Sequence, residues 1–194
     1  MKQLILFLLM SFPLFAEMNV LVFAGSTRSE SFNKKLAKQA ADTATKLGAK
    51  TTLIDLKNFP IPLYDGDLEK QGMPKHAKKL RDLMIQSDAI IIASPEYNGS
   101  VSAVLKNALD WASRSEKGSY SNDAFSNKQF VLLSTSPGNG GGVRGLAHLR
   151  SIIETLGGKV LDEGLCIPRA FEAFNETEIS SLNEQLSQEL KVLF

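Results

Sequence analysis

Hydrogen-bond donors and one arginine are concentrated in residues 25–33. Arg28 carries a fixed positive charge there, and five more side chains can donate to an anion: Ser26, Thr27, Ser29, Ser31 and Asn33. The stretch follows an apolar run and precedes a helical pattern. Its last backbone N–H groups therefore lie at a helix N-terminus, where the helix dipole favours negative charge. These donors predict a site for a single phosphate. The alternative, that Ser31 or Asn33 only caps the helix, accounts for one or two of them.

Residues 95–100 suit a different part of a ligand. Tyr97 offers a planar face with a polar tip, and Asn98 and the backbone N–H groups can donate to the edge of a heteroaromatic ring. Gly99 permits a backbone path that is closed to other residues. We therefore predict contact with a flat, mostly apolar ring system. The alternative is a plain turn with Asn98 and Gly99 at its corner, and in either case Ser100 is expected to cap the next helix.

A glycine-rich stretch lies at residues 136–145. Its glycines let the backbone approach a ligand closely, and they also allow mobility, which suits a site that admits two substrates in turn. The alternative interpretation is a flexible loop. Arg144, near the end of the stretch, is either a solvated helix residue or a residue that faces an acidic edge of the ligand.

The elements around these three stretches alternate regularly. Strict alternation predicts an α/β fold with a doubly wound, five-stranded parallel sheet and helices on both faces. The three stretches each follow a strand, so all three are expected at one edge of the sheet, where such folds bind ligands. Apolar or β-branched runs predict strands at 19–24, 50–56, 88–94, 129–135 and 159–161. Periods of three and four predict helices at 33–47, 74–84, 101–114, 145–156 and 177–193.

Three common nucleotide and nucleophile motifs are absent. The first turn lacks the Gly-x-Gly-x-x-Gly pattern of dinucleotide folds, and the Gly-x-x-x-x-Gly-Lys-Ser/Thr loop of triphosphate-binding proteins is missing. Neither Ser26 nor Ser136 lies in a Gly-x-Ser-x-Gly elbow, so a serine nucleophile is not indicated. The first turn therefore suits a mononucleotide with one phosphate.

Composition narrows the function classes further. The chain has 194 residues, enough for one domain with a substantial core, and its net charge of +1 comes from 22 basic and 21 acidic side chains. Without long basic runs it offers no case for binding nucleic acid. The single cysteine, Cys166, excludes an internal disulfide and is interpreted as a small buried hydrophobe. His76 and His148 are far apart in sequence, so no metal site is predicted.

Residues 1–17 are interpreted as a leader, which leaves 18–194 as the folded domain. Met1–Ala16 combines a basic start, an apolar run and a small residue before a cleavage position, the layout of a secretory signal peptide. The run is too short to span a bilayer comfortably, so no stable membrane span is expected. In the alternative, translation starts at Met18, directly before the first strand, and the leader is an upstream extension.

Together the three stretches resemble the NAD(P)H-dependent FMN reductase family, the flavodoxin-like group that includes chromate-reducing quinone reductases and some azoreductases. The resemblance runs from about residue 19 to about residue 158. It rests on Gly25-Ser26-x-Arg28-x-x-Ser31-x-Asn33, on Pro95-Glu96-Tyr97-Asn98-Gly99-Ser100 with Leu105-Lys106-Asn107-Ala108-Leu109-Asp110-Trp111, and on Ser136-Pro137-Gly138 with Gly140-Gly141. The leader is a departure from the usual cytoplasmic members.

The resemblance implies a bound FMN and a role for each stretch. The phosphate would be held by Ser26, Arg28, Ser31 and Asn33, with Phe32 also among the cofactor-binding residues. The isoalloxazine would be bordered by Pro95, Glu96, Tyr97, Asn98 and Gly99. Ser136 and Gly138 would lie on the ring and ribityl side. Trp111 would be a core or an interface residue, and core is the interpretation we favour.

The resemblance also implies the chemistry. NADPH or NADH would pass a hydride to flavin N5 and leave, and a quinone, flavin, azo compound or similar small acceptor would take its place, which is a ping-pong mechanism. The protein would position the ring and stabilise negative charge on it, so we name no catalytic residue. The alternative is a flavodoxin-like FMN electron carrier without NAD(P)H turnover. Such carriers tend to be strongly acidic, and the net charge of +1 argues against one.

Assembly and compartment follow from the same resemblance. Family members are usually dimeric or tetrameric, so a homodimer or homotetramer is expected, with the helix at 101–114 near the interface. Reduced nicotinamides are scarce outside the cytoplasm, so the chemistry predicts a cytoplasmic protein. The alternative is export to the periplasm, which requires Met1–Ala16 to be a functional signal peptide.

Overall fold

The computed structural model describes residues 17–194, so the predicted leader over residues 1–17 lies outside this range except for Glu17. The strands are β1 (Asn19–Ala24), β2 (Lys50–Asp55), β3 (Ala89–Ala93), β4 (Glu96–Tyr97), β5 (Ser100–Val101), β6 (Gln129–Thr135), β7 (Lys159–Val160) and β8 (Leu165–Ile167). The helices are α1 (Phe32–Lys46), α2 (Gly66–Glu69), α3 (Lys75–Gln86), α4 (Ala103–Ala112), α5 (Val143–Thr155), α6 (Ala170–Ala173) and α7 (Ile179–Leu190). No helix in the described part of the chain is long and apolar enough to cross a membrane.

The main sheet is parallel, with the strand order β2-β1-β3-β6 followed by β7 and β8, which both pair with β6. Because β1 lies between β2 and β3, the order reverses at β1 and β3, as in flavodoxin-like folds. The predicted fold class, α/β with a doubly wound five-stranded parallel sheet, is confirmed. A separate two-stranded antiparallel hairpin is formed by β4 and β5.

The fifth position of the sheet is shared by two short strands. Residues of β7 pair with the beginning of β6, and residues of β8 pair with its end. The sequence analysis predicted a strand at 159–161 and missed β8. The apolar pattern is interrupted there by Asp162, Glu163 and Gly164, which leave the sheet before the chain returns to it.

Helices cover both faces of the sheet, and each face has its own apolar core. On one face α1 and α7 pack against one alternating set of strand side chains, among them Val22, Ile91 and Leu133. On the other face α3, α4 and α5 pack against the opposite set, among them Phe23 and Ile92. Side chains of this kind each contribute about 1.5–3 kcal/mol when fully buried. The strands β1, β3 and β6 are therefore held from both sides, which fixes the positions of the turns that follow them.

Helices α1, α3, α4, α5 and α7 begin and end within three residues of their predicted bounds, whereas the short helices α2 and α6 were not predicted. One correction concerns the start of α4. Its N-cap is Ser102, whose Oγ accepts a hydrogen bond from the Leu105 N–H at 3.2 Å. The prediction that Ser100 caps this helix is wrong, because Ser100 belongs to β5 and pairs with Tyr97 across the hairpin. The expectation that Trp111 lies in the core is confirmed, since its side chain is fully buried.

The segment between β2 and α2 is fastened to α4 on the second face of the sheet. Trp111 Nε1 and Asn107 Nδ2 each donate to the carbonyl of Pro62 at 2.9 Å. A buried carboxylate, Glu69, accepts from Arg114 Nε at 2.6 Å and from the Tyr64 hydroxyl at 2.8 Å. This ion pair stabilises a peripheral loop and is separate from the turns at the carboxyl ends of β1, β3 and β6.

Candidate active site

The turns after β1, β3 and β6 meet at one edge of the sheet, as predicted. The register aligns Ala24 with Ala93, and Ala93 with Leu133, so the three strands end side by side. Two backbone bonds continue the alignment past the strand ends: Gly25 N–H to Ala93 O at 2.9 Å, and Ser94 N–H to Leu133 O at 2.8 Å. The first parts of the turns are therefore fixed relative to one another.

Two further bonds tie the turns together through buried hydroxyls. Ser102 Oγ donates to Gly25 O at 2.6 Å, and Ser134 Oγ donates to Ser94 O at 2.7 Å. An added Cβ on Gly25 would lie 2.9 Å from a Leu105 methyl, so the first turn contacts α4 closely. The sequence analysis did not predict the bonds made by Ser102 and Ser134, because each joins residues that are far apart in the chain.

The first turn presents donors at the N-terminus of α1. Ser26 and Ser31 are buried, and Arg28 is exposed. Ser31 is the N-cap residue, yet its side chain makes no capping hydrogen bond, so capping does not account for its hydroxyl. Ser26 Oγ accepts from the Arg28 N–H at 3.3 Å, which leaves its own O–H available to donate. Backbone N–H groups in the first turn of a helix lack intrahelical partners, so they add to this donor set.

Asn33 joins the first turn to the end of β6. Its Nδ2 donates to Thr135 O at 2.9 Å, and its Oδ1 accepts from the Thr135 N–H at 3.1 Å. The residue is buried, so this pair of bonds satisfies both the backbone N–H and the backbone C=O of Thr135 away from water. The side chain therefore has a structural use within the protein, besides the phosphate role that the sequence analysis predicted for it.

Replacing Asn33 by alanine is expected to lower the free energy of unfolding of the flavin-free protein by about 1–3 kcal/mol. The reason is that the Thr135 N–H and C=O would be left buried without a partner. Urea unfolding of the purified variant measures this. Asn58→Ala is the control, because Asn58 is exposed and its replacement is expected to change stability by less than about 0.5 kcal/mol. Equal stabilities for the two variants would show that the Asn33 link contributes nothing.

The second turn is a tight hairpin rather than an open loop. Asn98 and Gly99 have φ values of 52° and 77°, the left-handed pair that a two-residue hairpin with the twist of its strands requires. The alternative interpretation, a turn with these two residues at its corner, is thus confirmed for the backbone. Tyr97 is 48% exposed and stands beside this corner. Contact of Tyr97, Asn98 and the preceding Pro95 with a ring system stays a prediction.

The Glu96 carboxylate is directed at α5. Its Oε1 accepts from Arg144 Nε at 2.9 Å, and its Oε2 accepts from the backbone N–H groups of Arg144 and Gly145, both at 3.1 Å. The hydrogen bonds from Arg144 hold the pKa of the Glu96 carboxyl below its usual range, and burial opposes this effect. Arg144, for which two interpretations were left open, is therefore paired within the protein while its side chain stays 76% exposed.

The third turn packs against the segment that follows β8. The Arg169 N–H donates to Gly138 O at 3.1 Å, and the Ala170 N–H donates to Ser136 O at 3.0 Å. These bonds place Ser136 and Gly138 in a turn that is supported on its outer side. The support was missed, because residues 165–170 contain no motif beyond Pro168 after a short apolar run.

Phe32 lies at the first position of α1 and contacts this same segment. Its ring meets Phe171 edge-to-face with centroids 4.9 Å apart, and Phe174 lies 5.7 Å away. Phe171 remains 73% exposed. The structure therefore places Phe32 beside the predicted phosphate donors, with its ring packed on α6. The predicted buried hydrophobe, Cys166, is only partly buried, and burial raises the pKa of its thiol.

The sequence was compared with models of known protein families. The model described as NADPH-dependent FMN reductase matches residues 18–172. The chain belongs to the NADPH-dependent FMN reductase family. The resemblance stated from the three stretches is confirmed, and the chain is an oxidoreductase of this NAD(P)H-dependent FMN and quinone reductase group.

Curated relatives agree with this family. An NADPH:quinone oxidoreductase of Arabidopsis thaliana is 40% identical over 136 residues, which cover 69% of this chain and 65% of that protein. The NAD(P)H-dependent FMN reductase PA1204 of Pseudomonas aeruginosa is 32% identical over 181 residues, which cover 91% and 94%. The match to the plant protein thus spans just under two thirds of its length, and the match to the bacterial one spans nearly all of it.

A solved structure of a flavoenzyme is similar to this chain in both fold and sequence. FerB, a flavoenzyme NAD(P)H:(acceptor) oxidoreductase from Paracoccus denitrificans, aligns with a TM-score of 0.74 at 26% identity, covering 90% of this chain and 96% of that chain. The azoreductase AzrA aligns with a TM-score of 0.63 at 16% identity, which speaks for the fold alone.

Proposed function

We propose that this chain binds FMN at the three turns and uses it to transfer reducing equivalents from NADPH or NADH to a quinone or a similar small acceptor. The observation that supports this most directly is the arrangement of the first two turns. A donor-rich turn at a helix N-terminus lies beside a hairpin that exposes an aromatic side chain, at the edge where doubly wound sheets bind ligands.

The residues of the first turn fit a phosphate monoester. Two buried serines, Ser26 and Ser31, have hydroxyls that are not used as donors within the turn. Within residues 17–194, Arg28 takes part in none of the ion pairs. Glu30 is the only acidic residue among 25–33, and it is exposed. Neutral hydroxyls, backbone N–H groups and a guanidinium form the kind of donor set that holds a phosphate.

The protein's own contribution is binding and orientation. Arg28, Ser26 and Ser31 would anchor the phosphate, and the hairpin 96–101 would border the ring. When bound, FMN would supply the hydride-transfer chemistry that links the nicotinamide to the second substrate in a ping-pong sequence. Backbone N–H groups of the turns at 95–99 and 136–141 would stabilise negative charge there. Glu96 is held as a carboxylate by Arg144, so it is unsuited to donate a proton.

The acceptor, the assembly and the compartment are part of the same proposal. A quinone is supported by the relatives whose names specify quinone reduction. A homodimer or homotetramer and a cytoplasmic location follow from the family resemblance and from the availability of reduced nicotinamides. Export remains the alternative, which N-terminal sequencing of the natural protein distinguishes.

Purified protein loaded with FMN is expected to oxidise NADPH or NADH steadily when a soluble benzoquinone is added. Initial-rate patterns with both substrates varied should give parallel lines, as a ping-pong mechanism requires. The control is the flavin-free protein, which should show only the background rate. Retention of FMN without turnover above that background would favour the electron-carrier alternative and would contradict the proposed activity.

A further inference from the structure

The first turn of α5 has no cap from its own sequence. Its N-cap residue is Gly142, which has no side chain to accept from the first N–H groups, and no acidic residue lies in the first turn. Unpaired N–H groups at a buried helix start are costly, so a partner from elsewhere is needed. Glu96 supplies it from the hairpin 96–101, accepting the N–H groups of Arg144 and Gly145 with Oε2.

The hairpin packs so closely against α5 that there is little room for a side chain at Gly145. A Cβ on Gly145 would lie 3.1 Å from the Glu96 Cβ and 3.1 Å from Ser100 O. A second polar contact joins the same two elements, between Ser100 Oγ and His148 Nδ1 at 3.1 Å. The hairpin therefore rests on the N-terminal half of α5, with the Glu96 side chain only 11% exposed at the contact.

Arg144 completes this arrangement. It binds Glu96 Oε1 through Nε and a terminal nitrogen, so the carboxylate is surrounded by four donor contacts from one helix turn. Two guanidinium nitrogens converge on Oε1 and two backbone N–H groups converge on Oε2, so the contacts restrict the orientation of the carboxylate as well as its distance from α5. We call the unit formed by Glu96, Arg144 and the Gly145 N–H the hairpin clamp.

We propose that Glu96 is a positioning residue for the redox site: through the hairpin clamp it fixes the hairpin at 96–101 against α5, and so sets the second turn relative to the third. This rests on the proposed function, because the two turns matter together only if they border one ligand. The side chain itself touches α5 and acts through the backbone of Tyr97, Asn98 and Gly99. The clamp does not require Glu96 to exchange a proton.

The test compares two matched substitutions, Glu96→Gln and Glu69→Gln. Each removes the charge of a carboxylate that is paired with an arginine, Arg144 in the first case and Arg114 in the second, but the Glu69 pair lies on the peripheral loop. Both variants are titrated with FMN, followed by quenching of flavin fluorescence. The visible circular dichroism of the bound flavin is then recorded at saturation. A loss of stability alone would leave the dichroism spectrum of the saturated protein unchanged.

Glu96→Gln is expected to raise the dissociation constant for FMN about tenfold, the effect of one hydrogen bond between charged groups, and to alter the dichroism spectrum. Arg144→Met, which replaces an exposed side chain and keeps the backbone cap, should give a smaller change in the same direction. It also serves as the second variant if Glu96→Gln does not fold. Glu69→Gln should match the wild type in both readouts.

The outcomes separate this inference from the proposed function. A wild-type chain that does not bind FMN would overturn both. Wild-type binding, with an unchanged dissociation constant and spectrum in Glu96→Gln and Arg144→Met, would overturn the positioning role alone. Equal losses in Glu96→Gln and Glu69→Gln would also overturn it, because the effect would then be one of general stability.

Discussion

Replacing Gly142 by alanine is expected to lower the free energy of unfolding by about 2–4 kcal/mol. Gly142 has a φ of 93°, which a residue with a Cβ adopts only with strain, and the added Cβ would lie 2.0 Å from Ser134 Oγ. That hydroxyl is fully buried and donates to Ser94 O, so it cannot turn aside without losing a bond. The strain would therefore disturb the bond from Ser134 to Ser94, which connects the starts of the second and third turns. Chemical denaturation of the flavin-free variant measures the loss.

The same turn contains a matched control. Gly140 has no atom within 4 Å of an added Cβ and no left-handed φ. Gly140→Ala is therefore expected to change the unfolding free energy by less than about 1 kcal/mol, because no atom crowds the added methyl group. If both variants were equally stable, the close contact at Gly142 would be of no energetic importance.

Replacing Arg28 by alanine is expected to raise the dissociation constant for FMN about 10- to 100-fold, since a hydrogen-bonded charge pair with the phosphate would be lost. The stability of the flavin-free protein should be unchanged, because Arg28 is exposed and has no ion-pair partner among residues 17–194. Fluorescence titration with FMN measures the affinity. Riboflavin, which lacks the phosphate, should bind the variant and the wild type equally well.

The control for charge is Lys46→Ala. Lys46 is an exposed cation at the opposite end of the same helix, about 20 Å from the first turn for a helix of this length. Its removal changes the net charge equally and should leave FMN affinity within about twofold. A normal affinity for FMN in Arg28→Ala would refute the phosphate assignment. A parallel loss of riboflavin affinity would place Arg28 at another part of the ligand.

The periodicity of apolar residues, together with the turn residues between segments, was sufficient to predict the main strands and helices. Continuous apolar runs marked β3 and β6, buried on both faces, and the alanines of α1 recur at three and four and lie against the sheet. Because parallel strands end together, the meeting of the three turns followed from their order alone. These features depend on short segments, which a single sequence displays directly.

What could not be predicted depends on pairs of residues far apart in the chain. The bonds between Asn33 and Thr135, and between Glu96 and Arg144, span 102 and 48 residues, and nothing in a local pattern indicates which side chain meets which. The sequence analysis began this helix at residue 101 and therefore expected Ser100 as its cap. Only the hairpin shows that Ser100 belongs to a strand and that Ser102 caps the helix. The pairing of β8 likewise depends on the end of β6, which β7 leaves unpaired because β7 covers only the beginning of that strand.

The link between Asn33 and Thr135 has a consequence for the order of events during synthesis. At ribosomal rates of about 5–20 residues per second, Thr135 is made roughly 5–20 s after Asn33. During that interval the nascent chain has the predicted phosphate donors but not the strand end to which Asn33 bonds. Flavin loading is therefore expected after translation has passed β6, and a chain stalled before that point should emerge without the cofactor.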